Sequence, residues 1–246
     1  MMVKRTPRPP PAEPQSPNRL LAALPVADYQ RILPSLTWVP LKFKQVLHKS
    51  GAKIDTIYFL GGGVGSVTNV MTDGRMVEVA TIGNEGLIGI TVFLGGDVSP
   101  GDAFIQVPNG GGQSMSAEAF RRELDGRGPF YELVSRYSQA LQVLMMQSTA
   151  CNGLHSVEER CARWLLMTHD RVEGDAFPLT HEFLGYMLGV RRPTVSLVLG
   201  TLDKAGVIRN GSKRITVVNR DRLEQTSCEC YQVVQRAFDR LLPQKG

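Results

Sequence analysis

The thirty residues from Leu179 to Ile208, LTHEFLGYMLGVRRPTVSLVLGTLDKAGVI, constrain this chain more than any other stretch. They read as two short helices about a glycine turn. Thr180 can cap the first helix by accepting an orphan backbone N–H, and Glu182 sits in the first turn, where the helix dipole favours a negative charge. Phe183, Leu184, Met187 and Leu188 recur at helical spacing, and Gly189 supplies the left-handed residue that ends the run. The second helix is expected to begin at Arg191 or Arg192, because Pro193 is tolerated only in a first turn. Val195, Val198, Leu199 and Leu202 form its buried stripe. Arg191, Arg192, Pro193, Thr194 and Ser196 are left at its outer, N-terminal end, and Gly206 closes it.

Arginines at the start of a braced helix suit the edges of DNA bases, since Arg can pair bidentately with guanine O6 and N7 while Thr and Ser bond phosphates or bases. The segment VIRNGSKRITVV follows, and Asn210-Gly211 between two β-prone runs predicts a hairpin. As a wing beside the second helix it would offer Arg209, Lys213 and Arg214 to phosphates. From Gly189 to Arg222 there are eight Lys/Arg against Asp203 and Asp221, a local excess above the +5 of the whole chain. Double-stranded DNA is the partner this predicts, with Thr180, Arg191, Arg192, Pro193, Thr194, Ser196, Lys213 and Arg214 as its contacts. The competing class is a regulatory protein that binds an effector and acts through protein–protein contacts; it predicts no preference for any DNA.

The chain has 246 residues, 42% of them hydrophobic, which supports two domains with real cores. No apolar run is long enough to span a membrane. The start, MMVKRTPRPPPAEPQSPN, lacks the apolar core of a signal peptide and is expected to be a disordered Pro-rich tail over 1–18. Cys151, Cys161, Cys228 and Cys230 do not form the framework of a secreted protein, so a cytoplasmic location is expected.

From Trp38 to about Val107 the pattern changes to short strands. TIYFLGG, VGSVTNVM, MVEVATI and AFIQV are strand-like, and Asp73-Gly74 reads as a hairpin turn. Many short strands with glycine punctuation predict a barrel or jelly roll. Gly61 to Gly65 lacks the Lys and Ser/Thr of a phosphate loop and precedes a strand, so it reads as a tight turn. Ser116 to Leu124 predicts a short helix, and Pro129 opens a long one. Along it Phe130, Val134, Tyr137, Leu141, Leu144, Ser148 and Cys151 alternate steps of four and three, a heptad seam. The seam predicts a homodimer, with Cys151 near its twin. The expected class is α+β, an N-terminal β-roll, a long dimerisation helix and a C-terminal winged helix-turn-helix, divided as 1–18, 19–127, 128–155 and 156–246.

In this order of parts, and in the helix-turn-helix segment, the wing NGSKRITVV and the roll segment IYFLGGGVGSVTNVMTDGRMVEVATIGNEGLIG, the chain resembles the Crp/Fnr family of bacterial transcription regulators. The resemblance covers nearly everything beyond the tail. It implies that Arg192 holds the family's base-reading arginine position and that Thr180 and Thr194 fall at phosphate-contacting positions. It adds RNA polymerase as a partner. Pro193 stands where cyclic-AMP-responsive members carry a base-reading Glu, and Leu197 where they carry a second Arg, so the DNA sequence read should differ.

The resemblance also implies where a cyclic nucleotide would bind, in about Gly83 to Gln106. Ile90 replaces the ribose-binding Glu, no Arg lies near Pro100 to Asp102, and no Lys, Arg or His occurs between Arg75 and Arg121. Burying a phosphate without a cation costs several kcal/mol, so classical cyclic-nucleotide control is not expected and the effector stays unknown. No cofactor is expected. The cysteines are wrongly placed for the family's iron–sulfur centre, and a lone His48 is a weak haem ligand. Cys228-Glu229-Cys230 is expected on a helix begun by Asp221, its thiols roughly 200° apart and without companion ligands nearby, so no metal site is predicted. No nucleophile–base arrangement suggests an enzyme.

Overall fold

A computed structural model describes residues 16–242. In chain order its elements are α1 (Arg19–Ala22), α2 (Val26–Ile32), β1 (Thr37–Pro40), β2 (Val46–His48), β3 (Thr56–Leu60), β4 (Gly63–Val70), β5 (Met76–Ile82), β6 (Leu87–Ile88), β7 (Asp102–Pro108), β8 (Gly111–Ser116), α3 (Ala117–Asp125) and α4 (Pro129–Leu154). There follow α5 (Val157–His169), β9 (Ala176–Pro178), α6 (His181–Leu188), α7 (Arg192–Lys204), β10 (Ile208–Asn210), β11 (Arg214–Val217), α8 (Arg220–Thr226) and α9 (Cys230–Leu241). None of these helices is long and apolar enough to cross a membrane.

The eight N-terminal strands make two antiparallel sheets, β1-β8-β3-β6 and β2-β7-β4-β5. Leu60 and Ile88 of the first meet Ile82, Ala103 and Ile105 of the second, so aliphatic side chains fill the space between them. The turn Asp73-Gly74 joins β4 to β5 as expected; Gly74 has φ +81°, and Asp73 accepts from the Arg75 backbone N–H at 3.0 Å. The glycine run after β3 is a tight turn. Gly63 has φ +74°, and a Cβ there would strike the Val107 carbonyl.

The tail was expected to reach Asn18, but Ser16 and Asn18 are buried. The Asn18 side chain caps α1 through Leu21 N–H and donates to the carbonyls of Leu60 and Gly86, both at 2.9 Å. Residues 1–15 lie outside the described residues.

Pro129 opens α4, which runs for 26 residues through Asn152 and Gly153. The heptad residues Phe130, Val134, Tyr137, Leu141, Leu144, Ser148 and Cys151 are all buried, but within their own chain. Phe130 packs on Phe59 and Phe120 of the roll. The Tyr137 hydroxyl donates to the Leu87 carbonyl at 3.0 Å, and its ring meets Phe238 on α9. Cys151 Sγ lies 3.5 Å from Cys228 Sγ, where a twin cysteine was expected. The stripe is a buried face, as its periodicity predicts, and within the chain it is already occupied. The amphipathic helix laid along it is the chain's own α9.

Behind α4, Ser156 and Glu159 form a reciprocal capping box that starts α5. A contiguous apolar cluster runs from Leu20 and Phe59 through Leu144 and Leu166 to Leu199 and Leu223, so roll, long helix and C-terminal part share one core. Two polar links cross the same junction. Trp164 Nε1 of α5 donates to Glu78 Oε1 of β5 at 3.0 Å. Arg171, just beyond α5, pairs with Glu85 in the β5–β6 turn at 2.7 Å, both side chains about 9% exposed.

Candidate nucleic-acid interface

The interface is built on α6, α7 and a small sheet of order β10-β11-β9. Thr180 caps α6, its Oγ1 accepting the Phe183 N–H at 3.2 Å. Gly189 takes φ +64° and ends the helix, and the Val190 N–H returns to the Gly185 carbonyl. This tight return leaves no room at Gly185, where a Cβ would stand 2.9 Å from the Val190 carbonyl. Arg191 is the N-cap residue of α7 and makes no side-chain capping bond, and Pro193 lies in the first turn. Pro193 carries no N–H and the Thr194 N–H returns to the Arg191 carbonyl at 3.0 Å, so what the opening turn offers is the positive dipole end beside two cations.

Arg191, Arg192 and Pro193 are exposed and Thr194 is half-buried, while Val195, Val198, Leu199 and Leu202 are buried. Thr180, Lys213 and Arg214 are exposed on the flanks. Among the described residues, no carboxylate pairs with Arg191, Arg192, Arg209, Lys213 or Arg214, although other surface arginines such as Arg75 and Arg136 do form ion pairs. Their charge is uncommitted. Thr180, Arg192, Gly211 and Lys213 line one groove between α6, α7 and the turn after β10.

Ser196 departs from the expectation. It is half-buried, and its Oγ is 2.8 Å from His181 Nδ1. His181 Nε2 in turn is 3.0 Å from Asn210 Oδ1. One imidazole thus ties the first helix, the second helix and the wing, and Ser196 serves that joint. Sequence reading missed the His181 bridge, because its three partners lie in different elements. It also undervalued Leu197, which is 73% exposed on the outer face of α7.

The expected hairpin is present, with Gly211 N–H returning to the Arg214 carbonyl at 2.9 Å. It gains a third strand that was not anticipated: β9 pairs with β11, Phe177 opposite Ile215. Only three residues long and ended by Pro178, β9 carries too little alternation to read. It anchors the wing at the residue that leads into α6, as the Leu179 N–H donates to the Lys213 carbonyl.

The roll reaches this site as well. α6 lies on β5, and Phe183 packs against Phe43 and Phe104. Asp73, Gly74 and Arg75 at the tip of the β4–β5 hairpin share a cleft with Tyr186, Arg191 and Arg192.

Beyond the wing, the helix expected from Asp221 starts at Arg220, capped by Asn219, whose side chain accepts from Arg222 N–H at 3.0 Å; Glu224 accepts from Arg220 Nε. This helix ends at Thr226, and Ser227 turns the chain into extended backbone before α9 begins at Cys230. Cys228 and Cys230 are therefore not on one continuous helix, and the angular argument that kept their thiols apart does not hold.

Residues 159–226 match the family model of the Crp-like helix-turn-helix domain. No curated protein matches the sequence. Among solved structures, FixK2 from Bradyrhizobium japonicum is similar at 17% identity and TM-score 0.67, over 78% of this chain and 98% of that one. A CRP-family transcriptional regulator from Thermus thermophilus is similar at 20% identity and TM-score 0.62, over 77% and 96%. The c-di-GMP-responsive global regulator CLP from Xanthomonas campestris is similar at 15% identity and TM-score 0.64, over 78% and 99%.

Proposed function

From a chain that carries a Crp-like helix-turn-helix domain on the fold of the Crp/Fnr transcription regulators, we propose a dimeric, sequence-specific DNA-binding regulator. The observation that carries the reading is the pair Arg191 and Arg192, exposed and without a carboxylate partner among the described residues, at the open N-terminus of α7. Arg192 reads a guanine; Thr180, Thr194, Lys213 and Arg214 hold phosphates. Leu197, exposed where a charged reader would be expected, suits the methyl group of thymine.

Dimerisation uses the face of α4 that the chain leaves uncovered. Gln139, Gln142, Met146, Thr149 and Gly153 are exposed and alternate steps of three and four, a second heptad stripe offset from the buried one. Met146, 66% exposed, is its large apolar member, and Leu154, 81% exposed, lies beside its end. Two copies joined there would present their α7 helices to successive major grooves, about 34 Å apart.

The effector is not a cyclic nucleotide held by an arginine. Aliphatic side chains from both sheets meet inside the roll, and the Glu85 carboxylate is occupied by Arg171. Calorimetry with cyclic AMP is expected to give no heat of binding.

Selection of binding sites from random DNA, followed by gel shift, tests the main reading. Arg192→Ala should weaken the selected site by about 1–3 kcal/mol and relax one base position, whereas Lys213→Ala should weaken all sequences alike and reduce the salt slope by about 1. An unchanged site preference in Arg192→Ala would remove the base-reading assignment, and no preference in the unaltered protein would favour a protein partner instead.

A further inference from the structure

In the sequence Cys228 and Cys230 have no companion ligands nearby. Folding supplies them. Cys151 and His155 stand one turn apart at the end of α4, on the same side of the helix. The break at Ser227 lets Cys228 and Cys230 fold onto that end. All three thiols are buried and His155 is half-buried. The four donor atoms lie within 4.8 Å of one another. Cys151 Sγ is 3.5 Å from Cys228 Sγ, and Cys230 Sγ is 3.4 Å from His155 Nδ1.

These distances have a chemical meaning. A disulfide needs about 2.05 Å between sulfurs, so the 3.5 Å pair is not one. Metal–sulfur bonds of about 2.3 Å and a metal–nitrogen bond of about 2.0 Å at tetrahedral angles put neighbouring donors about 3.5–3.8 Å apart. The cluster needs only a small contraction to meet that. An iron–sulfur core, which must sit between its ligands, would spread the thiolates well beyond this span.

The surroundings point the same way. His155 Nε2 is 3.4 Å from Glu229 Oε2, which leaves Nδ1 for the ion and orients the ring, the usual carboxylate–histidine–metal arrangement. Gln147 Nε2 donates to Cys230 Sγ at 3.1 Å, a bond that favours thiolate. Two arginines of α5, Arg160 and Arg163, are 8% and 7% exposed, and the Nε of each lacks a hydrogen-bond partner. Among the described residues, neither has a carboxylate in ion-pair range. Arg163 reaches Ser148, one turn before Cys151. Burial opposes the charge of Arg160, and negative charge at Cys151 and Cys228 is what favours it. Three thiolates around a divalent ion carry one net negative charge, which adds a counter-charge near these buried guanidinium groups.

We propose that Cys151, His155, Cys228 and Cys230 bind one zinc-class divalent ion. Binding forms three metal–sulfur bonds and one metal–nitrogen bond and releases three thiol protons to solvent; nothing is oxidised. With four protein ligands the sphere is closed, so the ion is structural. It staples the end of α4 to the start of α9, and so holds α9 over the buried stripe of the long helix. The site lies apart from the DNA-contacting residues, and its existence does not depend on their role.

The test uses the full-length chain, untagged and purified under reducing conditions. Elemental analysis is expected to find about one zinc per chain. The stripped protein should take up Co²⁺ with the intense visible bands and thiolate charge transfer of a tetrahedral sulfur-rich site. Cys228→Ser should lose the ion, Glu229→Ala should weaken its binding about 10–100-fold, and Cys161→Ser, a buried thiol outside the cluster, should leave it unchanged. The unaltered protein makes the test independent of how the variants fold. A stripped, reduced chain that shows only the pale spectrum of six-coordinate cobalt would overturn the proposal, as would a Cys151–Cys228 disulfide with no retained metal under the same conditions.

Discussion

The ion pair between Glu85 and Arg171 joins the roll to the segment that leads into the winged domain, and its removal has a calculable signature. Arg171 donates to Glu85 Oε1 from Nε at 3.0 Å and from Nη2 at 2.7 Å, and the Gly83 N–H donates to the same oxygen at 3.0 Å. At 2.7 Å and an effective dielectric constant of about 20 the Coulomb attraction is about 6 kcal/mol, most of it offset by desolvation. Neutralising one partner strands the other charge in the interior. Glu85→Gln and Arg171→Met should each cost about 3–5 kcal/mol. The double variant strands nothing, so it should fall short of the sum by about 3 kcal/mol. Urea unfolding of the four proteins at one pH measures this directly. Single costs that add to within about 0.5 kcal/mol would refute the argument. The pair also sets an acid limb. Burial alone would raise the Glu85 carboxyl, but the Arg171 guanidinium and the hydrogen bonds hold it below its usual range. The unfolded chain then binds the proton more readily, so this stability is present above the ordinary carboxylate pKa and is lost as pH falls through the folded value. Glu85→Gln should flatten that limb.

Glu78 should behave in the opposite sense. Burial raises its carboxyl against the hydrogen bonds from Ser66, Thr81 and Trp164, so its contribution is full below the ordinary carboxylate pKa and is lost as pH rises through the folded value. Thermal unfolding against pH should therefore slope downward above that range, and less so in Glu78→Gln; identical slopes would argue against a buried neutral acid. Gly86→Ala should cost about 1–3 kcal/mol or more by overpacking, because its Cβ would strike the Tyr137 ring that Leu87 holds in place. Gly200→Ala, with open space around it, should gain about 0.5–1 kcal/mol from helix propensity; chemical denaturation separates the two. Met146→Glu should leave the folded chain intact and yield monomers in analytical ultracentrifugation, and a persisting dimer would move the interface elsewhere.

Where a property is local, the sequence disclosed it. Thr180, Ser116 and Pro129 each mark a helix start through chemistry confined to one turn, and Asp73-Gly74 and Asn210-Gly211 mark the hairpins. The stripe on α4 is local as well, but periodicity reports only that a face is covered. What covers it is the roll at Phe130 and, further along, α9, roughly a hundred residues on, and a second heptad stripe on the outer face carries, apart from Met146, polar and small residues that no hydrophobic count would select. The metal-type cluster escaped for a related reason. Its two halves are 77 residues apart, and its closure depends on a helix break at Ser227 with neither proline nor glycine to announce it. His181 was equally silent, since a histidine in a first turn says nothing of Ser196 and Asn210. Ser16 and Asn18 look like the rest of a proline-rich leader until Leu60, Gly86 and Gln113 are seen to receive them.

The strand β5 runs as a lever arm beneath α6 and the start of α7. Its hairpin end stands in the cleft with Arg191 and Arg192, its middle is gripped by Trp164 through Glu78, and past its far end Glu85 is clasped by Arg171. Any tilt of this ribbon is therefore felt at three points of the neighbouring domain at once, without a ligand ever approaching the basic tip. Trimming the hairpin should change affinity for a DNA duplex while leaving Arg191, Arg192 and the wing unaltered.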